Sequence, residues 1–155
     1  MDRLQIFGAT PSPYTQKMLS LLRYRRIPYD IHWGETKTRL ESLNIELPKP
    51  ILLPVILFEG DDQKLVATTD STPMLRKIEK TYAQRKVIPD DPALAFINYL
   101  LEDFGDEWIT KYMFHYRWHF RDDAEKAGMI LPLVEFQNPL SVEDHNQIKE
   151  FIIKR

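Results

Sequence analysis

The sequence contains no cysteine among its 155 residues. Disulfide bonds, thiolate ligands for a metal and a redox couple carried by the protein itself are therefore excluded. Any thiol chemistry would have to use a thiol that a ligand brings. The chain also lacks a basic excess, with 21 lysines and arginines against 23 acidic residues. Because nucleic acids and anionic membranes attract basic surfaces, we expect neither as the main partner.

Long apolar runs are absent as well. No stretch approaches the roughly 18 uninterrupted apolar residues of a membrane-spanning helix, and the first residues lack the apolar core and cleavage site of a signal peptide. We therefore expect a cytoplasmic protein without a membrane partner. Apolar residues make up 43% of the chain, which is enough for a core in one domain or two small ones.

The first part of the chain predicts a strand, a helix and a second strand in succession. Residues 4–7 form a short apolar run that ends at Gly8, and Ser12 and Pro13 are residue types that begin helices. Apolar residues then recur at helical spacing, and residues 29–33 are typical of a strand. This order is that of a βαβ unit, in which the two strands run parallel.

Two further strands and a helix are predicted before residue 82. Residues 55–59 and 65–67 are strand-like and are separated by a turn that begins at Gly60, which is typical of an antiparallel hairpin. Thr69, Asp70 and Ser71 then offer caps for a helix with one apolar face. The sequence therefore predicts the order βαβ, loop, ββα for an α/β domain over residues 1–82.

Beyond this domain the pattern is helical. Residues 83–91 are charged and contain proline, which is typical of a linker, and a long helical pattern starts at Pro92. Its last stretch carries aromatic residues on every side, which is typical of a helix buried between neighbours. We therefore predict a linker over residues 83–91 and an all-helical domain over residues 92–155.

Three separated segments of the first domain resemble the glutathione S-transferase superfamily. The segment LQIFGATPSPYTQKMLSLLRYRRIPYDI is similar to the first βαβ unit of its serine and cysteine classes, which carry S-P-Y or C-P-Y at the helix start. LLPVILF resembles the family's cis-proline element, and TTDSTPMLRKIEKTY resembles its acidic-serine helix start. The resemblance implies a thioredoxin-like N-terminal domain. It also implies that the helical domain is partial, because the family's second domain is usually the larger one.

Ser12 stands where the resemblance implies the thiol chemistry. The N–H groups at a helix start favour an anion, and a hydrogen bond from a hydroxyl to a charged acceptor contributes about 1.5–3 kcal/mol. At about 1.36 kcal/mol per pKa unit, this bond would lower a thiol pKa by about one to two units from its usual value of about 8.5. Tyr14 is a fallback donor. The structural alternative is that Ser12 only caps its helix.

The other two segments are implied to bind the peptide part of glutathione. Leu53 and Pro54 would offer backbone groups to an extended peptide, with Pro54 as the cis residue. Asp70 and Ser71 would hold the ammonium and the α-carboxylate of the γ-glutamyl end. A rigid turn at the proline and simple helix capping are the corresponding alternatives.

Two positions depart from the family pattern. Phe7 stands where the tyrosine classes place their hydroxyl, and Leu52 stands two residues before the cis-proline, where many members have Lys or Gln for the glycyl carboxylate. Lys37 or Lys49 could supply that cation instead. The departures leave open a non-catalytic protein of the same fold that acts in protein association or stress regulation.

The helical part adds candidates for a second substrate. Aromatic side chains could wall a site for an apolar electrophile, with core packing as the alternative, and the candidates are Trp108, Tyr112 and Tyr116. His115, His119 and Asp123 follow at a spacing of four residues, but no fourth ligand is evident and we predict no metal. The resemblance implies glutathione as co-substrate and a homodimer. The first hypothesis is a transferase that conjugates the glutathione thiolate to the electrophile.

Overall fold

The computed structural model describes residues 3–60, 62–136 and 139–154. The chain divides into two compact units, Met1–Val87 and Ile88–Arg155. The division falls inside the segment 83–91 that the sequence predicts as a linker. The first unit contains every strand of the described residues, and the second unit is helical throughout its regular structure.

Four strands of the first unit form one mixed sheet. They are β1 (Leu4–Gly8), β2 (Tyr29–Trp33), β3 (Val55–Glu59) and β4 (Leu65–Thr68), in the spatial order β2-β1-β3-β4. β1 and β2 run parallel, whereas β3 runs antiparallel to both β1 and β4. The parallel pairing and the hairpin predicted from the sequence are confirmed.

Helices α1 (Pro13–Arg25) and α2 (Thr36–Ser42) connect β1 to β2 and β2 to β3, and α3 (Ser71–Thr81) follows β4. Pro13 begins α1 because the first helical position needs no N–H partner, and Ser12 caps the helix as predicted. Asp70 is the cap of α3, and its Oδ1 accepts the N–H of Thr72 at 3.1 Å. Both helices therefore begin at residues whose side chains satisfy backbone donors.

The sheet is covered on both faces. On one face, Phe7, Val55 and Leu57 form a buried cluster with Leu40 of α2. Because side chains alternate along a strand, Ile6 and Ile56 point to the opposite face. The fully buried side chains of α1 and α3 complete that layer, namely Met18, Leu19, Leu22, Met74 and Ile78. This double burial fixes the register of each strand, because a slip by one residue would exchange its two faces.

A buried ion pair joins the C-terminal ends of α1 and α3. The Arg25 guanidinium contacts the Glu79 carboxylate and donates to the carbonyls of Tyr82 and Gln84. Glu79 also accepts the N–H of Val87 at 3.2 Å. Removing one partner of such a pair leaves an uncompensated buried charge and costs about 3–5 kcal/mol. The pair therefore anchors residues 82–87 to the first unit.

The second unit contains α4 (Pro92–Asp103), a π-helical segment (Phe104–Ile109), α5 (Thr110–Trp118), α6 (Arg121–Glu135) and α7 (Val142–Ile153). The long pattern predicted from Pro92 is therefore not one regular α-helix. Gly105 lies in the π-helical segment, and glycine is a poor former of regular helix. None of the helices in the described ranges combines the length and apolar character needed to cross a bilayer.

The prediction that the aromatic stretch is buried on all sides is wrong. None of the described residues of α4, the π-helical segment or α5 is buried. Within its own unit, α5 packs mainly against the π-helical segment and α6, which leaves much of its surface uncovered. The buried residues among those described in this unit are Ala124, Gly128 and Pro132, all on α6, the helix that packs against α7. An aromatic helix is buried only where neighbours exist for every face.

The end of β1 requires glycine because α1 packs directly against it. A Cβ on Gly8 would lie 2.5 Å from Cγ2 and 2.8 Å from Oγ1 of the fully buried Thr15. Threonine is stiff at its first side-chain torsion and cannot move away cheaply. We predict that Gly8→Ala lowers the free energy of unfolding by about 1–3 kcal/mol in urea denaturation.

Gly105→Ala is the matched control for that substitution. A Cβ on Gly105 meets nothing within 4 Å, and its φ is not positive. This variant should keep or raise stability, by up to about 1 kcal/mol. An equal decrease in the free energy of unfolding in the two variants would contradict the steric explanation for Gly8.

Candidate functional site

The three segments that carry the sequence motifs meet at one edge of the sheet. β1 pairs with β3 through Phe7 and Val55, and β3 pairs with β4 through Ile56 and Thr68. The carboxyl ends of β1 and β4 therefore lie beside the amino end of β3. The residues next to these strand ends along the chain are the predicted ones: Ser12, Leu53, Pro54, Asp70 and Ser71.

Ser12 caps α1 and keeps a proton to donate. Its backbone N–H donates to the carbonyl of Ala9 at 3.1 Å, and its Oγ accepts the N–H of Thr15 at 3.2 Å. The cap uses a lone pair of Oγ, so it does not consume the hydroxyl proton. Capping and donation to a ligand are therefore compatible roles for this side chain, which is partly exposed.

The starts of α1 and α3 together favour an anion at this edge. The first turn of each helix contains no acidic residue. Unpaired N–H groups and the helix dipole give each start a partial positive charge. The caps Ser12 and Asp70 accept the N–H groups of Thr15 and Thr72.

The loop before β3 is held by a threonine. The Leu53–Pro54 bond is cis, which is the isomer that the resemblance implies. Next to it, the N–H of Leu52 donates to Oγ1 of Thr69 at 3.2 Å, and the same hydroxyl donates to the Leu52 carbonyl at 2.9 Å. Thr69 immediately precedes Asp70, so this pair of bonds ties the loop to the start of α3.

The start of α3 has a positive φ at Asp70 and a lysine of α1 bonded to its first residue. Asp70 has φ of 73°, a region that residues other than glycine seldom adopt. Ser71 follows and is 4% exposed. The Nζ of Lys17 donates to Oγ of Ser71 at 3.2 Å, which links α1 directly to the first residue of α3.

The fallback donor and the two positions that depart from the family pattern lie in different surroundings. Tyr14, the fallback donor, is partly buried in the first turn of α1, two residues after Ser12. Phe7 belongs to the core, where it is 2% exposed and stacks on the His32 ring with centroids 4.7 Å apart. Leu52 has a side chain that is 49% exposed and carries no charge.

The two lysines that could replace a cation at Leu52 are placed in different surroundings. Lys37 forms an exposed ion pair with Glu41 along α2, with Nζ and Oε1 3.8 Å apart. Lys49 lines a groove of about 750 Å³ between residues 43–49 and β4. Among the residues that the structure describes, neither lysine forms a hydrogen bond or ion pair with the candidate residues Ser12, Leu53, Pro54, Asp70 and Ser71.

The aromatic candidates belong to the second unit and are accessible. The exposed fractions are 52% for Trp108, 52% for Tyr112 and 66% for Tyr116. The Lys111 ammonium lies 4.6 Å from the centroid of the Trp108 ring, a cation–π contact. These side chains therefore present apolar surface instead of forming a core.

The histidines near the end of α5 interact with each other. The rings of His115 and His119 stack with centroids 4.5 Å apart. Asp123 lies on α6, beyond the end of α5, so the regular spacing in the sequence does not continue on one helix. Among the residues that the structure describes, no group of three or more His, Cys, Asp or Glu side chains could hold a metal ion.

Two displaced pKa values belong to the scaffold of the first unit. The Gln5 amide and the Arg3 guanidinium hydrogen-bond to Asp30 and hold the pKa of its carboxyl below the ordinary value. Burial raises the pKa of the Tyr82 phenol. Asp30 lies on β2 and Tyr82 at the end of α3, and neither is one of the candidate residues Ser12, Leu53, Pro54, Asp70 and Ser71.

Sequence reasoning assigned no role to Lys17 at this edge and took Thr69 only as one of three possible helix caps. Lys17 falls within a helix, where a lysine is usually a solvated residue, and its bond to Ser71 depends on the position of α3. Thr69 lies directly before the Asp-Ser pair, and its bonds to Leu52 depend on the hairpin that returns the chain to this edge. Both residues lie within the quoted motif segments, and this was the only available signal for either contact.

Comparison with known families agrees with this arrangement. Residues 6–86, just over half of the chain, match the family model described as glutathione S-transferase, N-terminal domain. The chain belongs to the glutathione S-transferase family. The predicted fold, a thioredoxin-like domain followed by a helical region, is confirmed. A comparison with curated protein sequences found no match to this chain.

Solved structures support the same fold. A glutathione S-transferase from Rhodospirillum rubrum is 15% identical with a TM-score of 0.56, and the match covers 97% of this chain and 62% of that one. Glutathione transferase Omega 1C from Trametes versicolor is 14% identical with a TM-score of 0.55, covering 98% and 59%.

A third structure is an isomerase. Maleylacetoacetate isomerase from Anaeromyxobacter dehalogenans, with dicarboxyethyl glutathione and citrate in its active site, is 11% identical with a TM-score of 0.55. That match covers 98% of this chain and 77% of the isomerase. At such identities the similarity establishes the fold alone. The chain spans about three fifths of the length of the two transferases.

The two bonds from Thr69 give a test of how the loop before β3 is held. We predict that Thr69→Val accelerates hydrogen exchange of the Leu52 amide about fivefold, because one hydrogen bond contributes about 1 kcal/mol. Native-state exchange followed by NMR measures this rate. Thr81→Val is the matched control, since the Thr81 hydroxyl donates to the Lys77 carbonyl within α3. An unchanged rate at Leu52 in the Thr69 variant would rule out this anchoring.

Proposed function

We propose that the first unit binds glutathione, that Ser12 stabilises its thiolate, and that the thiolate is conjugated to an apolar electrophile. One observation carries this proposal. The Ser12 hydroxyl, the cis Leu53–Pro54 bond and the Asp70–Ser71 helix start lie at the same edge of the sheet. Family membership and the structures of relatives that hold glutathione derivatives support it.

The groups at this edge suit the chemistry of glutathione. Glutathione carries a thiol, an ammonium and two carboxylates on a short peptide. The start of α3 with Ser71 suits the γ-glutamyl α-carboxylate, and the Asp70 carboxylate suits the ammonium. The backbone of Leu53 would pair with the cysteinyl residue as a strand edge does. Leu52 offers no charge to the glycyl carboxylate, so that end would depend on backbone groups or water.

The chemical step needs a thiolate and a leaving group. In the proposed complex, the Ser12 O–H donates to the sulfur while its lone pair still accepts from Thr15. The sulfur electron pair then forms a C–S bond with the electrophilic carbon. In a substitution, such as that of an aryl halide, the halide departs with its bonding electrons, and the thiol proton has already passed to solvent.

The second unit would hold the electrophile. Trp108, Tyr112 and Tyr116 offer flat apolar surface that is at least half exposed. Aromatic and apolar linings are typical of small-molecule sites. We propose these three residues as contacts for the electrophile and keep Tyr14 as the fallback hydroxyl for the thiolate.

A second candidate function is protein association on the same fold without catalysis. It is favoured by α4, in which none of the residues is buried and apolar side chains are exposed. The most exposed of these are Phe96 and Leu101, at 60% and 65%. Apolar patches of this kind commonly mark interfaces, and they also suit the homodimer that we propose for this chain.

The role of Ser12 is tested by titrating the bound thiol. We predict that glutathione bound to the unmodified protein ionises about one to two pH units below glutathione bound to Ser12→Ala. Thiolate ultraviolet absorbance measures the ionisation. At neutral pH, turnover of an aryl halide should fall about tenfold in the variant and recover as pH rises, since about one unit of pKa is a tenfold change in thiolate.

Controls separate this role from its alternatives. Ser12→Thr keeps a hydroxyl that both caps and donates, and should retain the low thiol pKa. Tyr14→Phe should leave the thiol pKa unchanged. A higher thiol pKa in that variant would show that Tyr14, and not Ser12, stabilises the thiolate. An equal thiol pKa in Ser12→Ala and the unmodified protein would eliminate Ser12. Absence of a thermal shift at millimolar glutathione would favour the non-catalytic alternative.

A further inference from the structure

The first unit contains a groove between residues 43–49 and β4, with a volume of about 750 Å³. This volume falls within the range of about 300–1,000 Å³ that is typical of binding sites. Apolar side chains make up much of the lining, among them Leu47, Leu65 and Val66. None of the residues proposed to bind glutathione is among the described residues that line the groove. The groove therefore belongs to a different part of the surface of this unit.

β4 is an edge strand, with β3 as its neighbour in the described sheet. The N–H of Gly60 donates to the carbonyl of Lys64 at 2.8 Å, and the register places Val66 two positions along the ladder from that pair. Because bonded and non-bonded pairs alternate in an antiparallel ladder, Val66 bonds to β3, and Leu65 and Ala67 do not. The N–H and C=O groups of Leu65 and Ala67 therefore point away from β3.

These outward backbone groups have no hydrogen-bond partner within the part of the chain that the structure describes. Residues 43–49 form the other wall of the groove, but the described backbone bonds of this segment run to α2, as from the Ile45 N–H to the Leu40 carbonyl at 3.0 Å. Natural sheet edges are commonly protected by proline, charged side chains or a covering loop. β4 contains neither proline nor a charged residue, and the loop leaves a groove. The edge is therefore open to pairing.

The charge and spacing of the groove indicate what it would bind. Its lining carries two residues of each sign, Glu46 and Asp62 against Lys49 and Lys64, and the last of these pairs with Asp62 at 2.9 Å. A lining without net charge matches an uncharged segment. The open backbone groups lie two residues apart on one strand, about 6.6–6.8 Å, which is the repeat of an extended chain. A groove of this size admits one such chain, whereas a folded domain would leave it unfilled.

We propose that this groove binds an extended, uncharged segment of a partner protein, which pairs with β4 as an additional strand. Apolar side chains on one face of the segment would contact the apolar wall, as is usual when a peptide extends a sheet. This inference goes beyond the proposed function and does not depend on glutathione. The competing explanation is that the groove is only a solvated gap beside a short edge strand.

Hydrogen exchange measured by NMR on the full chain tests the pairing. The probe is the capped hexapeptide Ser-Val-Thr-Val-Ser-Leu, which has apolar side chains at alternate positions. In the unliganded protein, the amides of Leu65 and Ala67 should exchange about fivefold or more faster than that of Val66. Saturating peptide should slow the exchange of Leu65 and Ala67 about fivefold or more. The same peptide with every amide nitrogen methylated cannot donate and should have no effect.

Variants of β4 test the same edge from the side of the protein. Ala67→Pro removes an outward N–H and no ladder bond, and proline is tolerated at such a position of an edge strand. It should raise the dissociation constant for the hexapeptide about tenfold or more, since a hydrogen bond is lost and the ring blocks the approach. Ala67→Ser keeps the N–H and should bind within about threefold. Calorimetric titration measures the dissociation constants.

A second variant keeps the backbone intact in case proline disturbs the fold. Val66→Lys places a charge on the edge, which opposes strand pairing, and the fold should tolerate it because the Val66 side chain is 48% exposed. This variant should also bind the hexapeptide about tenfold or more weakly. Thermal unfolding of each unliganded variant measures whether the fold is intact.

Four outcomes would overturn the inference. Slow exchange of Leu65 and Ala67 in dilute unliganded protein would show that the edge is already paired. Slow exchange that appears only as the protein concentration rises would identify a second copy of the chain as the occupant. Absence of any effect of the hexapeptide at millimolar concentration would show that the groove takes no extended segment. Equal affinity of the unmodified protein, Ala67→Pro and Val66→Lys would place the peptide elsewhere.

Discussion

The close approach of α1 to the end of β1 is the constraint on which the site depends. Gly8 has no side chain, and the buried Thr15 of the first helical turn occupies the space that a Cβ would need. The same turn carries the N–H that Ser12 caps. The position of the Ser12 hydroxyl is therefore set by core packing rather than by a mobile loop, which is how a functional group is held with small positional error.

Side-chain hydrogen bonds of Thr69 and Lys17 also hold the other two motif segments in place. Thr69 holds the loop before the cis bond, and Lys17 joins α1 to the start of α3. At the far ends of the same helices, the Arg25–Glu79 pair fixes α1 against α3. Contacts near both ends of α1 and α3 thus hold the two helices together. The partial charges at the helix starts, which favour an anion, therefore lie in fixed places. A chain without cysteine can in this way prepare a site for a thiol that a ligand supplies.

The sequence was informative where local chemistry decides structure. Ser12 with Pro13, Asp70 before α3 and the turn at Gly60 each carry their own signal, and the strand pairing follows from it. Burial in the helical part was misjudged, because aromatic residues on every side of a helix say nothing about whether neighbours are present. The contacts of Lys17 with Ser71 and of Thr69 with Leu52 were missed because the partners lie far along the chain. Contacts of that kind depend on topology, which residue spacing alone does not encode.

The central claim is that the three motif segments form one binding site for glutathione. An NMR titration of the isotopically labelled chain with glutathione tests it most directly, because each backbone amide reports separately. The account predicts saturable shifts at Thr15, Leu53 and Ser71, with the amides of α2 unchanged. Shifts confined to other surfaces, such as the groove between residues 43–49 and β4, or no shifts at all, would contradict it.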